Sequence, residues 1–512
     1  MEVTPSSSAQ DLTHLRTLKP VQKPITASML YDLVACPHRV TMDLFGDPSK
    51  REEVNVFLRL LWEKGTLFER DVIGKLDMPF LDLSILTGEE KEHLTKEAMD
   101  KATPLIYGGR IHADDLLGDP DLLRWEGHGY IPGDIKSGSG EEGKEEARKP
   151  KTHYAVQLGL YIDILERKGI SAGRRGFIWD IHGEEVVYDF VIPQGQRSPR
   201  SLWMDYQGCL QAARSIVAQQ GGTLPAYGAP CKLCYWRTAC LHTLRQSDDL
   251  TLIPELGRSK RDTISSRVVT ITDLANTDLT CFLEGPKTVF PGIGIKTLEK
   301  LHRRARLVKE PHPRPRLLEP VTFPEADLEI FFDVETDPLR DICYLHGFLE
   351  RRPHDSNKET YIPCFAEGPS PEAEEDVFQR AWAYLQSHPN YVLYYYSKYE
   401  RTFWRKLQRR YPTVCTESEV ETLFDPEHAI DLYTDVVLRK TDWPTIDYSI
   451  KTLAKYLGFR WRDPHPSGAA SIEWFHRWVE TGDPLVKQRI LDYNEDDCRA
   501  TRVLVDGIRR LS

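Results

Sequence analysis

Apolar positions follow two periods along this chain. Several short runs are continuous or alternating and too brief for helices. They are LEIFFDVET at Leu328–Thr336, YVLYY at Tyr391–Tyr395, YIPGDIKSG from Tyr130, and the strand-like GGRIHADDLLGDPDLLRW, which a turn interrupts. Such runs predict strands, the most apolar of them buried on both faces. Elsewhere apolar residues recur every three to four positions. EKGTLFERDVI, HYAVQLGLYIDIL and PLVKQRILDYNEDDCRATRVLVDGIRRL therefore predict helices, and the segment after Tyr395 predicts a strand running into a helix. Strands and helices alternate in both halves, so the expected class is α/β multidomain.

Polar stretches divide these elements. The hydrophilic insert Gly138–Lys151 predicts a loop and Arg245–Arg267 a polar linker. Residues 310–326 carry five prolines in seventeen positions, a stiff spacer. The expected boundaries are a flexible tail at 1–25, a first domain at 26–245, a small helical region at 250–310, a proline-rich linker at 311–326 and a last domain at 327–512. A length of 512 residues agrees with three or four domains.

Composition narrows the function classes. The chain is 40% hydrophobic and 28% charged, a globular mixture. It holds no apolar run long enough for a membrane span, and its first residues lack the apolar core of a secretory signal. Ten cysteines are too few for a disulfide scaffold at this length, which points to the cytoplasm and to metal for any clustered thiols. A net charge of −11 excludes a wholly basic nucleic-acid binder but leaves room for a local basic track.

Cys231, Cys234 and Cys240 form C-x2-C-x5-C, and Cys36 lies far upstream. Four thiolates suit zinc or an iron–sulfur cluster. A zinc ribbon usually pairs two CxxC knuckles, and this chain has one, so a [4Fe–4S] cluster is the preferred reading. It would staple the ends of the first domain.

Between those cysteines lies a candidate acidic site. Asp134 and Lys136 alternate on one face of a strand. Upstream are Asp114 and Asp115, then Asp121 after a turn, and further upstream Glu69 on a helix. Downstream, Gln157 and Tyr161 stand one helical turn apart. Phosphodiester cleavage uses carboxylates to hold Mg²⁺ or Mn²⁺, and a lysine beside the metal can orient water or stabilise developing charge.

Together these motifs resemble the RecB-like branch of the PD-(D/E)xK nucleases, in its iron–sulfur form found among AddAB-type and CRISPR-associated exonucleases. The resemblance implies a restriction-endonuclease-like fold for the first domain. It assigns metal binding to Asp134 and to Asp114 or Asp115, with Asp114 preferred and Asp121 a rival. It gives Glu69 a supporting role, Lys136 the role of catalytic lysine, and Gln157 and Tyr161 a steadying role.

The stretch FPGIGIK at Phe290–Lys296 resembles a helix-hairpin-helix. Gly292 and Gly294 permit a tight turn close to phosphate, and Lys296 opens the following helix. From Lys296 to Arg316 the chain has eight Lys/Arg and two Glu, a net +6. That run is expected to be a positive track for nucleic-acid backbone.

A second acidic site is expected in the last domain. Asp333 and Glu335 end a strand on one face. Tyr493 and Asp497 meet on one face of a helix, with Asp492 and Asp496 on a neighbouring, solvated stripe. Glu400 sits at a strand–helix junction, with Asp431 its rival as third ligand. This set resembles the DEDDy exonucleases, whose fold is RNase H-like, as in DnaQ-type proofreading domains. The resemblance implies that Asp333, Glu335, Glu400 and Asp497 bind metal and that Tyr493 orients water. Tyr399-Glu400 departs from the usual Phe-Asp. The aromatics Tyr394–Tyr396 and Trp404 are read as core, with base stacking the alternative.

The order of parts resembles bacterial RecB-like nuclease fusions. The expected function is a two-site, divalent-metal nuclease on DNA, single-stranded or at ends, with 3′→5′ exonuclease action at the second site. An RNA-directed exonuclease and an inactive binding scaffold are the alternatives. The chain has no Walker A motif, so a helicase partner would have to supply any unwinding.

Overall fold

A computed structural model describes residues 23–143, 148–195, 199–353 and 355–511. The tail expected at 1–25 lies mostly outside the described residues; Ile25–Thr26 is a short strand pairing with Leu116 and Leu117. The chain divides into two compact units, residues 1–48 with 65–224, and residues 49–64 with 225–512.

The first unit is built on a six-stranded sheet in the order Glu185–Asp189, Arg175–Trp179, Tyr130–Ile135, Leu122–Trp125, Leu105–Tyr107, Leu81–Asp82. The strand Tyr130–Ile135 runs parallel to one neighbour and antiparallel to the other, and all six of its residues are buried. Helix Thr152–Arg167 packs on it and against helices Ala27–Ala35 and Leu202–Val217. That helix buries nearly every residue from Ala155 to Leu165, so it lies within the core. The insert Gly138–Lys151 is not wholly a loop. Glu141–Glu142 pairs with Lys149–Pro150, and residues 144–147 lie outside the described residues.

The second unit holds a five-stranded sheet in the order Asp355–Phe365, Ile342–Arg352, Leu328–Asp337, Tyr391–Tyr395, Ala429–Asp431. The first three strands are antiparallel and the last two join in parallel. Leu328, Ile330, Phe332 and Val334 face one core and Phe331 the other, so both sides of the central strand are covered. The 26-residue helix Pro484–Arg509 lies on this sheet, opened by an Asp483 cap and Pro484. Trp404 and Tyr394 are fully buried and Tyr395 nearly so, which makes them core as preferred above.

Two stretches expected to be spacers are instead packed. Within Arg245–Arg267, Leu250, Leu252, Ile253, Leu256 and Ile264 form the core of a small helical region with Leu298, Leu301 and Ala305. Their spacing is irregular because short turns carry them, so no single period announces them. Arg261 is buried there, paired with Asp249 at 3.0 Å and donating to the Pro225 carbonyl. In the proline-rich stretch, Arg316–Leu317 pairs with Thr441–Asp442, and Val321 and Phe323 pack on the sheet domain. It is a strap laid on that domain. Among the described residues, no helix is long and apolar enough to cross a membrane.

Candidate metal centres

In the central strand of the second unit, period-two alternation turns Asp333 and Glu335 to one face. Across the ladder Asp333 pairs with Gly347 and Glu335 with Leu345, and a bulge follows Glu335. The helix Pro484–Arg509 delivers Tyr493, Asn494 and Asp497 over that face. Ligand oxygens of Asp333, Glu335 and Asp497 all lie within 4.8 Å of one another.

Asp333 and Asp497 are held in place by hydrogen bonds. Asn494 Nδ2 donates to Asp333 Oδ2 at 2.8 Å, and the Tyr361 hydroxyl donates to Asn494 Oδ1 at 2.8 Å. Trp461 Nε1 donates to Asp497 Oδ1 at 2.7 Å. Burial, then the Asp497 and Glu335 charges, push the Asp333 carboxyl well above its usual range. Burial, then Asp497, push Glu335 up to about 8. Three crowded carboxylates in a poorly solvated place need a countercharge. Hard oxygen donors of this kind fit Mg²⁺ or Mn²⁺.

Residues 330–509 match the family model described as the RNase_H superfamily. This segment is an RNase H superfamily domain. No curated protein matches the chain. The RNase H-like domain is a nuclease-type fold, which implies a nucleic-acid substrate; RNase H-like nucleases use divalent metals, and this domain carries an acidic cluster.

Glu400, expected as the third ligand of this domain, stands outside the trio, although its charge adds to those that raise the Asp333 carboxyl. It follows Ser397, held at φ +106°, in the first turn of helix Lys398–Arg410. It is buried, and its Oε2 has no hydrogen-bond partner among the described residues. Burial above all, and then the Asp431 charge, push its carboxyl well up. The rival Asp431 is used locally: its Oδ1 accepts from the backbone N–H of Thr434 and of Ser397. Asp496 is not solvated as its stripe implied. Arg462 clamps it through Nε at 3.0 Å and the backbone N–H at 2.8 Å, and also holds Asp492 and Glu495.

The RNase H-like site contains groups that sequence reasoning missed. Lys451 Nζ donates to the Tyr493 hydroxyl at 2.6 Å and lies 3.4 Å from Asp497 Oδ2. Trp461 and Asn494 were missed as well. Lys451 opens a short helix and Trp461 follows a turn. Neither has a spacing that ties it to Tyr493 or Asp497, so tertiary folding alone reveals them.

The first unit gathers a second acidic group. Lys136 Nζ lies 2.9 Å from Asp134 Oδ2 and 3.8 Å from Asp121 Oδ2. Asp121 Oδ2 accepts from the Ile135 backbone N–H at 2.8 Å, and Asp134 Oδ1 from that of Asp121 at 3.3 Å. Burial, then the Asp134 charge, push Asp121 up to about 8, against the pull of Lys136. Burial works to lower the Lys136 pKa, but the Asp134 and Asp121 charges prevail and raise it. Glu69 adds its charge to Asp121 and to Tyr107. Tyr161 donates to the Asp119 carbonyl at 3.3 Å and feels Asp134 and Asp121. Gln157 Oε1 is buried without a hydrogen-bond partner among the described residues.

Asp114 and Asp115 are placed differently. Arg167 pairs with Asp114 at 2.7 Å, and Arg214 grips Asp115 with two bonds of 2.8 Å. The structure therefore brings Asp121, rather than Asp114, to Asp134. The ADDLL run looks like a metal-ligand strand end because the arginines that consume its carboxylates lie far along the chain.

At the hairpin, Gly292 takes φ +76°, and Gly294 caps helix Ile295–Val308 with Lys296 exposed beyond it. The expected positive track is largely neutralised. Arg303 and Arg304 both pair with Asp442, Lys300 with Glu255, Lys309 with Asp248 and Arg316 with Glu310. Arg304 is fully buried, so part of the basic run anchors the helical region to the RNase H-like domain within this unit. Lys296, Arg306 and Arg314 remain exposed.

Cys36 belongs to the first unit and Cys231, Cys234 and Cys240 to the second. All four are half-buried thiols. The Trp236 backbone N–H donates to Cys234 Sγ at 3.5 Å, and Cys240 lies in the first turn of helix Arg237–Gln246.

Proposed function

We propose that the chain is a divalent-metal-dependent nuclease whose principal site is Asp333, Glu335 and Asp497, acting as a 3′→5′ exonuclease on single-stranded or frayed DNA ends. The observation that carries this is the convergence of three carboxylates on one face of an RNase H superfamily domain. A bound Mg²⁺ or Mn²⁺ would supply Lewis-acid stabilisation of the phosphoryl oxygens and a more acidic water. The chain's own residues fix the geometry: Asn494 orients Asp333 and Trp461 orients Asp497. Tyr493, nearly fully buried, accepts from Lys451 and feels the Asp497 charge.

The first unit is a second nuclease site in this reading, with Asp121 and Asp134 as metal ligands and Lys136 beside them. Its support is the 2.9 Å and 3.8 Å approach of Lys136 to these two carboxylates. The hairpin would hold backbone phosphate through Gly292, Gly294 and Lys296. An iron–sulfur cluster on Cys36, Cys231, Cys234 and Cys240 rests on their spacing.

The test is a cleavage time course on end-labelled DNA and RNA with Mg²⁺ or Mn²⁺, using wild type, Asp134→Ala, Asp333→Ala and the double variant purified without oxygen. Two sites predict that each single variant loses a distinct product ladder and that the double variant is silent. A full wild-type ladder from the double variant would remove both assignments. Cys234→Ser should lose iron and brown colour; zinc in colourless wild type would exclude the cluster.

A further inference from the structure

The acidic group of the first unit has an aromatic and cationic surface beside it that metal binding leaves unused. The strand Tyr130–Ile135 ends just before Lys136, and helix Thr152–Arg167 starts over that end. A Cβ at Gly138, two residues past Lys136, would stand 3.6 Å from the Tyr154 hydroxyl and 4.0 Å from Lys151 Nζ. The Lys136 ammonium, 2.9 Å from Asp134 Oδ2, lies 5.8 Å from the centroid of the Tyr154 ring, and the Lys151 ammonium lies 5.3 Å from the same ring. One aromatic ring thus holds two cations at the edge of the acidic group.

Tyr31 reaches this place from helix Ala27–Ala35, which packs against helix Thr152–Arg167. Its ring centroid is 4.9 Å from that of His153, edge to face, and 6.5 Å from that of Tyr154. Burial and then the Asp32 charge raise the Tyr31 phenol above its usual range, and Lys136 is near enough to oppose them. Tyr31 is 37% exposed, against 3% or less for Tyr130, Tyr161, Tyr188 and Tyr206 of the same unit, so its ring does not serve the core.

The acids around this surface are engaged. Arg39 holds Asp32 at 3.2 Å and Lys149 holds Glu142 at 3.3 Å. Asp180 accepts from the backbone N–H of Gly140 at 3.0 Å and of His182 at 2.9 Å. The Glu142 and Asp180 charges act on Lys151, yet its Nζ makes no salt bridge or hydrogen bond among the described residues. It is a positive charge left for a phosphate. An open aromatic ring next to such a charge suits a strand whose bases are out of a duplex stack, because base faces meet aromatic faces without regard to sequence.

We propose that Tyr31, braced by His153, is the stacking platform for an unpaired base of the strand entering the first acidic site, and that Lys151 binds the phosphate beside that base. The site then takes single strands in preference to duplex. This rests on the nuclease reading of Asp121, Asp134 and Lys136 given above and names its substrate class.

The experiment uses full-length protein carrying Asp333→Asn, to silence the RNase H-like site. A single-stranded DNA carrying 5-iodouracil is bound without metal and irradiated, and the crosslinked peptides are identified by mass spectrometry. Crosslinks at Tyr31 or His153 are expected, and an excess of blunt duplex should not compete them away. Cleavage with Mn²⁺ is then followed in Tyr31→Ala, Tyr31→Phe and Lys151→Gln, each checked for folding by circular dichroism. Tyr31→Ala should raise KM for single strands about tenfold with a smaller change in kcat, and Tyr31→Phe should stay within about threefold of its parent. Lys151→Gln should raise KM and flatten its salt dependence. A wholly abasic strand should be cut alike with and without the Tyr31 ring. Crosslinks confined to other residues, or an unchanged KM in Tyr31→Ala, would overturn the proposal and leave the nuclease reading intact. Crosslinks at Tyr31 in an Asp333→Asn protein that cuts nothing would support the platform and remove the nuclease reading of the first unit.

Discussion

Gly347 is a sensitive point in the RNase H-like domain, although no charge sits there. It pairs with Asp333 across the ladder, and cross-strand partners project to the same side of a sheet. Asn494 occupies the space above it. A Cβ at position 347 would lie 1.7 Å from Asn494 Oδ1 and 2.8 Å from its Cγ, far inside contact distance. In Gly347→Ala, Asn494 must therefore leave. Two bonds go with it, Asn494 to Asp333 and Tyr361 to Asn494, both 2.8 Å. A hydrogen bond to a charged group is worth about 1.5–3 kcal/mol, and overpacking costs about 1–3 kcal/mol. The expected destabilisation is thus about 2.5–6 kcal/mol, read as a lowered urea midpoint at constant slope. Mn²⁺ affinity should fall about tenfold or more, because Asp333 loses the partner that orients it. The control is a double-mutant cycle. Asn494→Ala removes the obstructing group, so Gly347→Ala added to Asn494→Ala should cost under about 1 kcal/mol further. Additive losses in the cycle, or wild-type Mn²⁺ affinity in Gly347→Ala, would refute the reasoning.

Other expectations are as specific. His346 is fully buried, its Nδ1 accepts from Trp404 Nε1 at 3.2 Å, and burial, then Arg380, lower its pKa to about 3. A base with a depressed folded pKa contributes stability above its unfolded value of ~6.5, and that stability is lost as pH falls toward about 3, at up to ~1.4 kcal/mol per unit. His346→Gln should flatten the pH dependence of unfolding in this window, and an unchanged slope would remove His346 as its source. Glu335, with its folded pKa raised to about 8, works in the other direction: the metal-free protein should lose stability as pH rises from ~4.5 through about 8, while Mn²⁺ affinity climbs over the same range. A calorimetric titration at pH 6 and 8 with equal affinities would contradict this. In the first unit, Asp121→Asn should abolish cleavage assigned to Asp134, whereas Asp114→Asn should leave it within about threefold; the reverse ranking would return Asp114 to the site. Arg462→Ala should cost about 1–3 kcal/mol by leaving the buried Asp496 unpaired, measured by denaturant unfolding.

The parts of the site visible in the sequence are those that local geometry dictates. Asp333 and Glu335 share a face because any strand has period two. Tyr493 and Asp497 share one because any helix brings residues four apart together. The apolar run around them also identified the central strand of the sheet. What remained hidden depends on chain segments meeting from a distance. Lys451 and Trp461 reach Asp497 from outside its helix, and Asn494 matters only because Gly347 leaves room for it. The same cause explains the differences. Asp114 has the right neighbours in sequence, but Arg167 holds it in the fold. The basic run after Gly294 has the right composition for nucleic acid, yet Asp442 and Glu255 neutralise its middle. Glu400 stands at the expected strand–helix junction, where its charge reaches Asp333, but it lies outside the acidic trio.

The most direct measurement is the fate of a 5′-labelled single-stranded DNA with Mn²⁺, comparing Asp134→Ala with Asp134→Ala/Asp497→Asn. The account predicts a ladder that shortens from the 3′ end in the first protein, vanishes with chelator, and is absent in the second while Mn²⁺ binding falls by one ion. An undiminished ladder in the second protein would show that the acidic trio of the RNase H-like domain does not carry the reaction.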